Sequence, residues 1–246
     1  MTRADHDLAA ALAQGAGELL LRVRGRDHLD AAARRTAGDV EAHRYLSDRL
    51  AAERPGDAVL SEEGADDPVR LTADRVWIVD PLDGTREFSE PDRADWAVHV
   101  ALWERGDLVA GAVALPAEAT TLSTADVAPA PSRADGPMRL AVSRSRPPAL
   151  VPDLAERLGA ELVPMGSAGV KAMSVVRGVT DAYVHGGGQY EWDSAAPVAV
   201  ARAAGLHTSR LDGSPLRYNQ PDPYLPDLLI CRPELSGRLL AALADR

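Results

Sequence analysis

Two aspartates stand three residues apart in Trp77-Ile-Val-Asp80-Pro-Leu-Asp83-Gly84-Thr85. Paired carboxylates offer the hard oxygen ligands that a divalent cation takes. A glycine turn follows at once, and a helix starting there would present free N–H groups to a phosphate. Glu62 and Glu63 lie just upstream, and Asp193 lies far downstream in Glu191-Trp-Asp-Ser-Ala-Ala-Pro197. Three acidic loops brought to one point repel strongly without counter-charge. A pair of Mg²⁺ ions resolves this and supplies a mechanism, one ion lowering the pKa of a bound water and the other steadying the leaving oxygen. Taken alone, Asp193 reads as the N-cap of the Ala-rich helix after it. In company with the other carboxylates the metal reading prevails.

These residues need elements to carry them. Val76 to Val79 is an apolar run that reads as a buried strand ending at Asp80. Ala58 to Leu60 is a short strand ending at Ser61-Glu62-Glu63-Gly64, so the carboxylates converge if the two strands are neighbours. Leu8 to Val23 and Val40 to Ala52 have helical spacing, with Asp39 a candidate N-cap and Pro55-Gly56 a stop for the second. Trp96 to Leu102 and Leu108 to Leu115 flank Arg105-Gly106-Asp107 as a hairpin. Residues 126–137, rich in Pro and Ala, mark the expected boundary. It separates a 1–137 α+β subdomain carrying most of the metal ligands from a 138–246 α/β subdomain completing the site. In the latter, strands at Arg139–Val142, Leu162–Val163, Ala182–Val184 and Leu228–Cys231 alternate with helices at Pro148–Leu158, Ala168–Val176, Ser194–Ala204 and Glu234–Ala244.

The chain has 246 residues, 46% hydrophobic and 26% charged, with a net charge of −10. That balance fits a globular protein and argues against non-specific nucleic-acid binding. Residues 61–95 hold eleven Asp/Glu against four Arg, so the acidic excess is concentrated around the candidate site. No apolar stretch approaches the ~20 residues of a membrane span. The N-terminus reads as an amphipathic helix and not as a signal peptide. A single cysteine, Cys231, allows no internal disulfide and fits a reducing cytoplasm.

Glu62-Glu63, Asp80-Pro-Leu-Asp-Gly-Thr85 and Trp192-Asp-Ser-Ala-Ala196 together resemble the three signatures of the inositol monophosphatase superfamily, in order and spacing. Asp80 to Phe88 and Glu191-Trp-Asp193 look most like its CysQ branch, the 3'(2'),5'-bisphosphate nucleotidases, in the actinobacterial form. The resemblance implies a layered αβαβα sandwich with an N-terminal antiparallel sheet and a C-terminal α/β half. It implies hydrolysis of 3'-phosphoadenosine 5'-phosphate to AMP, with inositol phosphates and fructose 1,6-bisphosphate as alternative substrates, Li⁺ sensitivity and a place in sulfur assimilation. By matched position, Glu62, Asp80 and the Leu82 carbonyl would hold one Mg²⁺, and Asp80, Asp83 and Asp193 a second. Glu62 and Thr85 would orient the attacking water, and Gly84 and Thr85 would bind the scissile phosphate. Thr36-Ala-Gly-Asp39 matches a segment on a mobile loop, where Asp39 would help with a third, weaker metal. Val142-Ser-Arg-Ser-Arg146 places Arg144 and Arg146 for a second phosphate, where each also reads as a solvated arginine. Ser167 and Lys171, the only lysine, match substrate positions; Lys171 reads equally as a surface residue of its helix. His185 stands where relatives carry an arginine, and it reads as a site-edge or surface residue rather than a metal ligand. Relatives include monomers and homodimers.

Two rival classes fit less well. A haloacid-dehalogenase phosphatase needs Asp-x-Asp-Gly-Thr with a nucleophilic first aspartate, and Leu82 occupies that place. A non-catalytic metal- or nucleotide-binding regulator would be expected to have lost a ligand or Thr85, and all are present.

Overall fold

The computed structural model describes residues 3–133 and 135–244. Helix α1 (Arg3–Arg24) buries Leu8, Leu12, Ala16, Leu20 and Val23, the single apolar stripe of an amphipathic helix. Helix α2 (Ala31–Glu53) packs beside it. It begins at the strongly helix-forming Ala31-Ala-Ala33, well before the expected Val40. Its N-cap is Asp30, which accepts from the Ala33 N–H at 2.8 Å. Thr36 to Asp39 is therefore helical, and Asp39 is neither a cap nor on a loop.

The first sheet is built from β1 (Ala58–Ser61), β2 (Arg75–Asp83), β3 (Ala97–Glu104), β4 (Asp107–Leu115) and β5 (Thr120–Ser123), in that order. Helix α3 (Thr85–Ser89) follows β2 directly. The sheet is antiparallel except that β1 runs parallel to β2. β5 carries no apolar alternation and was not expected from the sequence. The hairpin falls on Arg105-Gly106, both with positive φ.

The second sheet is mixed. Its order is β7-β6-β8-β10-β9, from β6 (Arg139–Ser143), β7 (Glu161–Met165), β8 (Ala182–Tyr190), β9 (His207–Ser209) and β10 (Tyr224–Cys231). β6 is parallel to β7 and β8, while β10 is antiparallel to β8 and β9. Between them run α4 (Leu150–Leu158), α5 (Ala168–Val176), α6 (Glu191–Ala203) and the C-terminal α7 (Pro233–Ala244).

Helices α1 and α2 cover the outer face of the first sheet, α5 and α6 lie between the sheets, and α4 and α7 cover the second. Three apolar cores fill the spaces between these layers. The five-layer αβαβα order is the one expected. At Gly111 a Cβ would lie 2.7 Å from the Ala199 Cβ, so the missing side chain lets α6 lie directly on β4. Among the described residues, no helix is long and apolar enough to cross a membrane.

Candidate active site

On a regular strand, residues three apart point to opposite faces. Asp80 and Asp83 converge because β2 slips register against β3 between them: Asp80 pairs with His99, but Asp83 pairs with Ala97. The extra residue is absorbed at Pro81-Leu82, a bulge that turns the second carboxylate back to the first one's side. Asp80 Oδ1 accepts from the Leu82 N–H at 3.0 Å, closing the turn. Gly84 then takes a left-handed conformation (φ +86°), and a Cβ there would meet the Asp95 carbonyl and Ser167 at 3.2 Å. Only glycine satisfies both conditions. Thr85 starts α3, and its hydroxyl donates to the Leu82 carbonyl at 3.1 Å.

His99, in the middle of apolar β3, was missed from the sequence. Its Nε2 lies 3.2 Å from Asp83 Oδ2, its Nδ1 lies 3.9 Å from Asp80 Oδ2, and Nδ1 donates to the Trp192 carbonyl at 3.1 Å. One donor nitrogen on each side fits an imidazolium. Burial opposes its charge, but Asp83 outweighs burial and raises its pKa. The available signal was a histidine at Val98-His-Val100, between apolar residues on both sides.

The Asp83 hydrogen bonds fall on one oxygen. Oδ2 accepts from Ser167 Oγ and, at 2.7 Å, from the Gly169 N–H. Burial would raise its pKa, but His99, Lys171 and Ser167 outweigh it and hold the carboxyl far below the usual range. Asp193 is likewise bonded through one oxygen, Oδ2 accepting from the Tyr190 N–H at 2.6 Å, yet its pKa moves the other way. It is the third residue of α6 and not its N-cap, a place taken by Tyr190. Among the described residues, the other oxygen of each carries no hydrogen bond. The remaining carboxylates lack such support. Asp80 is 1% exposed; burial, then Glu62, Asp83 and Asp193, push its pKa far up. Glu62 reaches solvent as a residue, yet its carboxyl is crowded. Desolvation, then the charges of Asp193, Asp83 and Glu63, raise its pKa to about 7. Desolvation and then Asp83 raise Asp193 to about 6. Asp39 is likewise raised to about 6, by burial and then by Glu63.

Asp80 and Asp83 side by side, with Glu62 and Asp193 near enough for their charges to be felt, fit a hard cation. Ligand atoms of Asp80, Asp83 and His99 lie within 4.8 Å of one another, so the cluster can hold a metal ion. His99 Nδ1 is taken by the Trp192 carbonyl, and oxygen donors suit a hard cation better than imidazole, so the carboxylates are the better ligands.

A cavity of about 520 Å³ opens from Asp83 and Asp193. Ser167, Lys171, Arg146, Tyr183, His185 and Gly188 are among the residues that line it. Lys171 is buried, not on the surface, and donates to the Gly166 and Ser167 carbonyls. Burial lowers its pKa against the pull of Asp83. Arg144 departs from expectation. It does not line this cavity, and its Nη2 pairs with Glu87 at 2.7 Å and Glu90 at 3.2 Å. The two arginines therefore form no common clamp here. His185 lines the cavity and its Nε2 lies 3.3 Å from the Gly188 carbonyl, so it belongs to the site edge.

The model of the inositol monophosphatase family matches residues 4–245. The chain belongs to the inositol monophosphatase family. A family member from Mycobacterium tuberculosis, named 3'-phosphoadenosine 5'-phosphate phosphatase, is 56% identical over 94% of this chain and 90% of its own length. One of the same name from Mycobacterium leprae is 53% identical over 98% and 94%. Among solved family structures, CysQ from Bacteroides thetaiotaomicron superposes with a TM-score of 0.82 at 27% identity, covering 94% of this chain and 97% of that one.

The raised carboxylates predict how the metal-free protein responds to pH. Glu62 and Asp193 bind protons more tightly folded (about 7 and about 6) than at their ordinary 4.5 and 3.8. His99, also raised, adds in the same direction. The native state then holds more protons than the unfolded one, so stability rises as pH falls. In chelator, Tm is expected to climb between pH 8 and pH 5.5. With saturating divalent cation the slope should invert, because the ligands must be ionised. Thermal unfolding at three pH values checks both signs.

Proposed function

We propose that this protein is a Mg²⁺-dependent phosphatase that removes the 3'-phosphate of 3'-phosphoadenosine 5'-phosphate, giving AMP and phosphate. The observation that carries the reading is the continuity of the carboxylate cluster with a cavity whose cationic wall suits a second phosphate. The likeness to the mycobacterial phosphatases over almost the whole chain supports the substrate. Glu62, Asp80, Asp83, Asp193 and the Leu82 carbonyl would hold two Mg²⁺ ions. When bound, the ions would supply an activated water and charge neutralisation at the phosphoryl oxygens.

The chain's own groups do the rest. Glu62 and Thr85 orient the water, the Thr85 hydroxyl being fixed by its bond to Leu82. Gly84 and Thr85 present N–H groups at the start of α3 to the scissile phosphate. Asp83 is kept ionised by His99, and its free oxygen stays available. Arg146 faces the second phosphate, with Ser167, Lys171 and His185 around the sugar. No side chain needs to be phosphorylated in this scheme.

The test compares kcat/KM for 3'-phosphoadenosine 5'-phosphate, inositol 1-phosphate and fructose 1,6-bisphosphate, with Mg²⁺ and with chelator. A site that hydrogen-bonds its substrate's polar groups separates substrates by large factors, so the nucleotide should lead by about a hundredfold or more. A flat ranking, or turnover persisting in chelator, would sink the proposal.

A further inference from the structure

Glu62 and Asp193 come from opposite halves of the chain, one on the turn after β1 and the other in the first turn of α6. Sheet pairing does not set the distance between them. A buried arginine does link their segments. Arg70, in the short helical turn Pro68–Thr72, is 1% exposed. Its Nε and Nη2 grip both oxygens of Asp66 at 2.6 and 2.9 Å. Its Nη1 donates to Asn219 Oδ1 at 2.9 Å and to the Gln220 carbonyl at 3.0 Å. Asn219 Nδ2 returns a bond to the Arg70 carbonyl at 3.0 Å.

On the far side of that loop, the two oxygens of Glu191 accept from the Asn219 and Gln220 N–H groups at 2.6 and 2.8 Å. Glu191 is the first residue of α6. The carbonyl of the next residue, Trp192, holds His99, and Asp193 follows. Asn219 is kept at φ +58°, a left-handed state that a non-glycine residue enters at a cost unless its surroundings demand it. A desolvated guanidinium is itself expensive and is kept only with its donors paired. The forked geometry of arginine allows three acceptor groups to be fixed at once, which an ammonium cannot match.

We infer that Arg70 is a positioning residue of the metal centre. Through Asp66 it holds the segment that carries Glu62, and through Asn219, Gln220 and Glu191 it holds the start of α6. It thereby fixes, together with the Glu62 N–H bond to the Val79 carbonyl and the His99 bond to the Trp192 carbonyl, the gap that Glu62 and Asp193 must share around a cation. The inference rests on the proposed role of those two carboxylates.

The test is Mg²⁺ binding to the metal-free protein by isothermal titration calorimetry, for wild type, Arg70→Lys, Glu191→Gln and Leu239→Ala. Loss of an outer partner of metal ligands costs roughly 10–100-fold in affinity, so Arg70→Lys and Glu191→Gln should weaken Mg²⁺ binding about tenfold or more. The Mg²⁺ half-saturation of turnover should rise in step, while KM for the nucleotide at saturating Mg²⁺ stays unchanged. Leu239→Ala, a core change on the outer helix α7, should lower Tm and leave Mg²⁺ affinity at the wild-type value. If Arg70→Lys fails to fold, Glu191→Gln carries the measurement. Variants that bind Mg²⁺ as tightly as wild type would overturn the inference and leave the functional reading standing. A wild-type protein that binds no Mg²⁺ would overturn both.

Discussion

Asp80→Asn is expected to abolish turnover while making the metal-free protein more stable. The two effects have one origin. Asp80 is buried among Glu62, Asp83 and Asp193, and every one of those neighbours opposes its charge. Asparagine has the same shape, is neutral, and keeps an oxygen for the Leu82 N–H. The metal-free fold therefore loses the repulsion, and the amide N–H group takes over the hydrogen bond that Asp80 shares with Glu62. The reaction loses the carboxylate proposed to bridge both cations. Charge stabilisation of that kind contributes several kcal/mol to a transition state, and about 4 kcal/mol corresponds to roughly a thousandfold in rate. The checks are kcat at saturating Mg²⁺ and thermal unfolding in chelator. An Asp80→Asn protein that still turns over, or that melts lower than wild type in chelator, would contradict this account.

His99→Leu is expected to act in the opposite sense, lowering the stability of the metal-free protein by about 3 kcal/mol or more, as removal of one member of a buried ion pair does. His99 is fully buried and supplies the counter-charge that keeps Asp83 ionised. Leucine fills similar space but leaves Asp83 facing Ser167, the Gly169 N–H and a more distant lysine. The fit around the ring is close: a Cβ on Gly169 would lie 2.1 Å from Nε2. The substitution also removes the His99 bond to the Trp192 carbonyl at the head of α6. Urea unfolding in chelator measures the loss, and Mg²⁺ should recover part of it by taking over the counter-charge. An unchanged urea midpoint would refute the role given to His99.

The reacting end of the site was legible in the sequence because its chemistry is local. Asp80, Leu82, Asp83, Gly84 and Thr85 belong to one bulge and one turn, and the short spacing forces them together. The layer order came from the family resemblance carried by these same motifs, while periodicity marked single elements such as α1. What stayed hidden depends on partners remote in the chain. His99 looks like any polar residue on a strand until β2 slips register beside it. Arg144 looks free until α3 brings up Glu87 and Glu90. Arg70 gives no sign of importance, because Asn219 lies 149 positions away. Asp39 was misplaced because Ala31 to Arg35 has little apolar content, although its helix propensity is high enough to start α2 early.

Strand β8 carries Gly186-Gly-Gly188 before its last two residues, two of these glycines at positive φ, on the rim of the cavity. The rim and the carboxylates are joined through Tyr190, two residues after Gly188, whose N–H holds Asp193. Replacements along 185–188 would therefore reach the site through the same strand, and side chains at 186 and 188 would meet Leu150 and Tyr224.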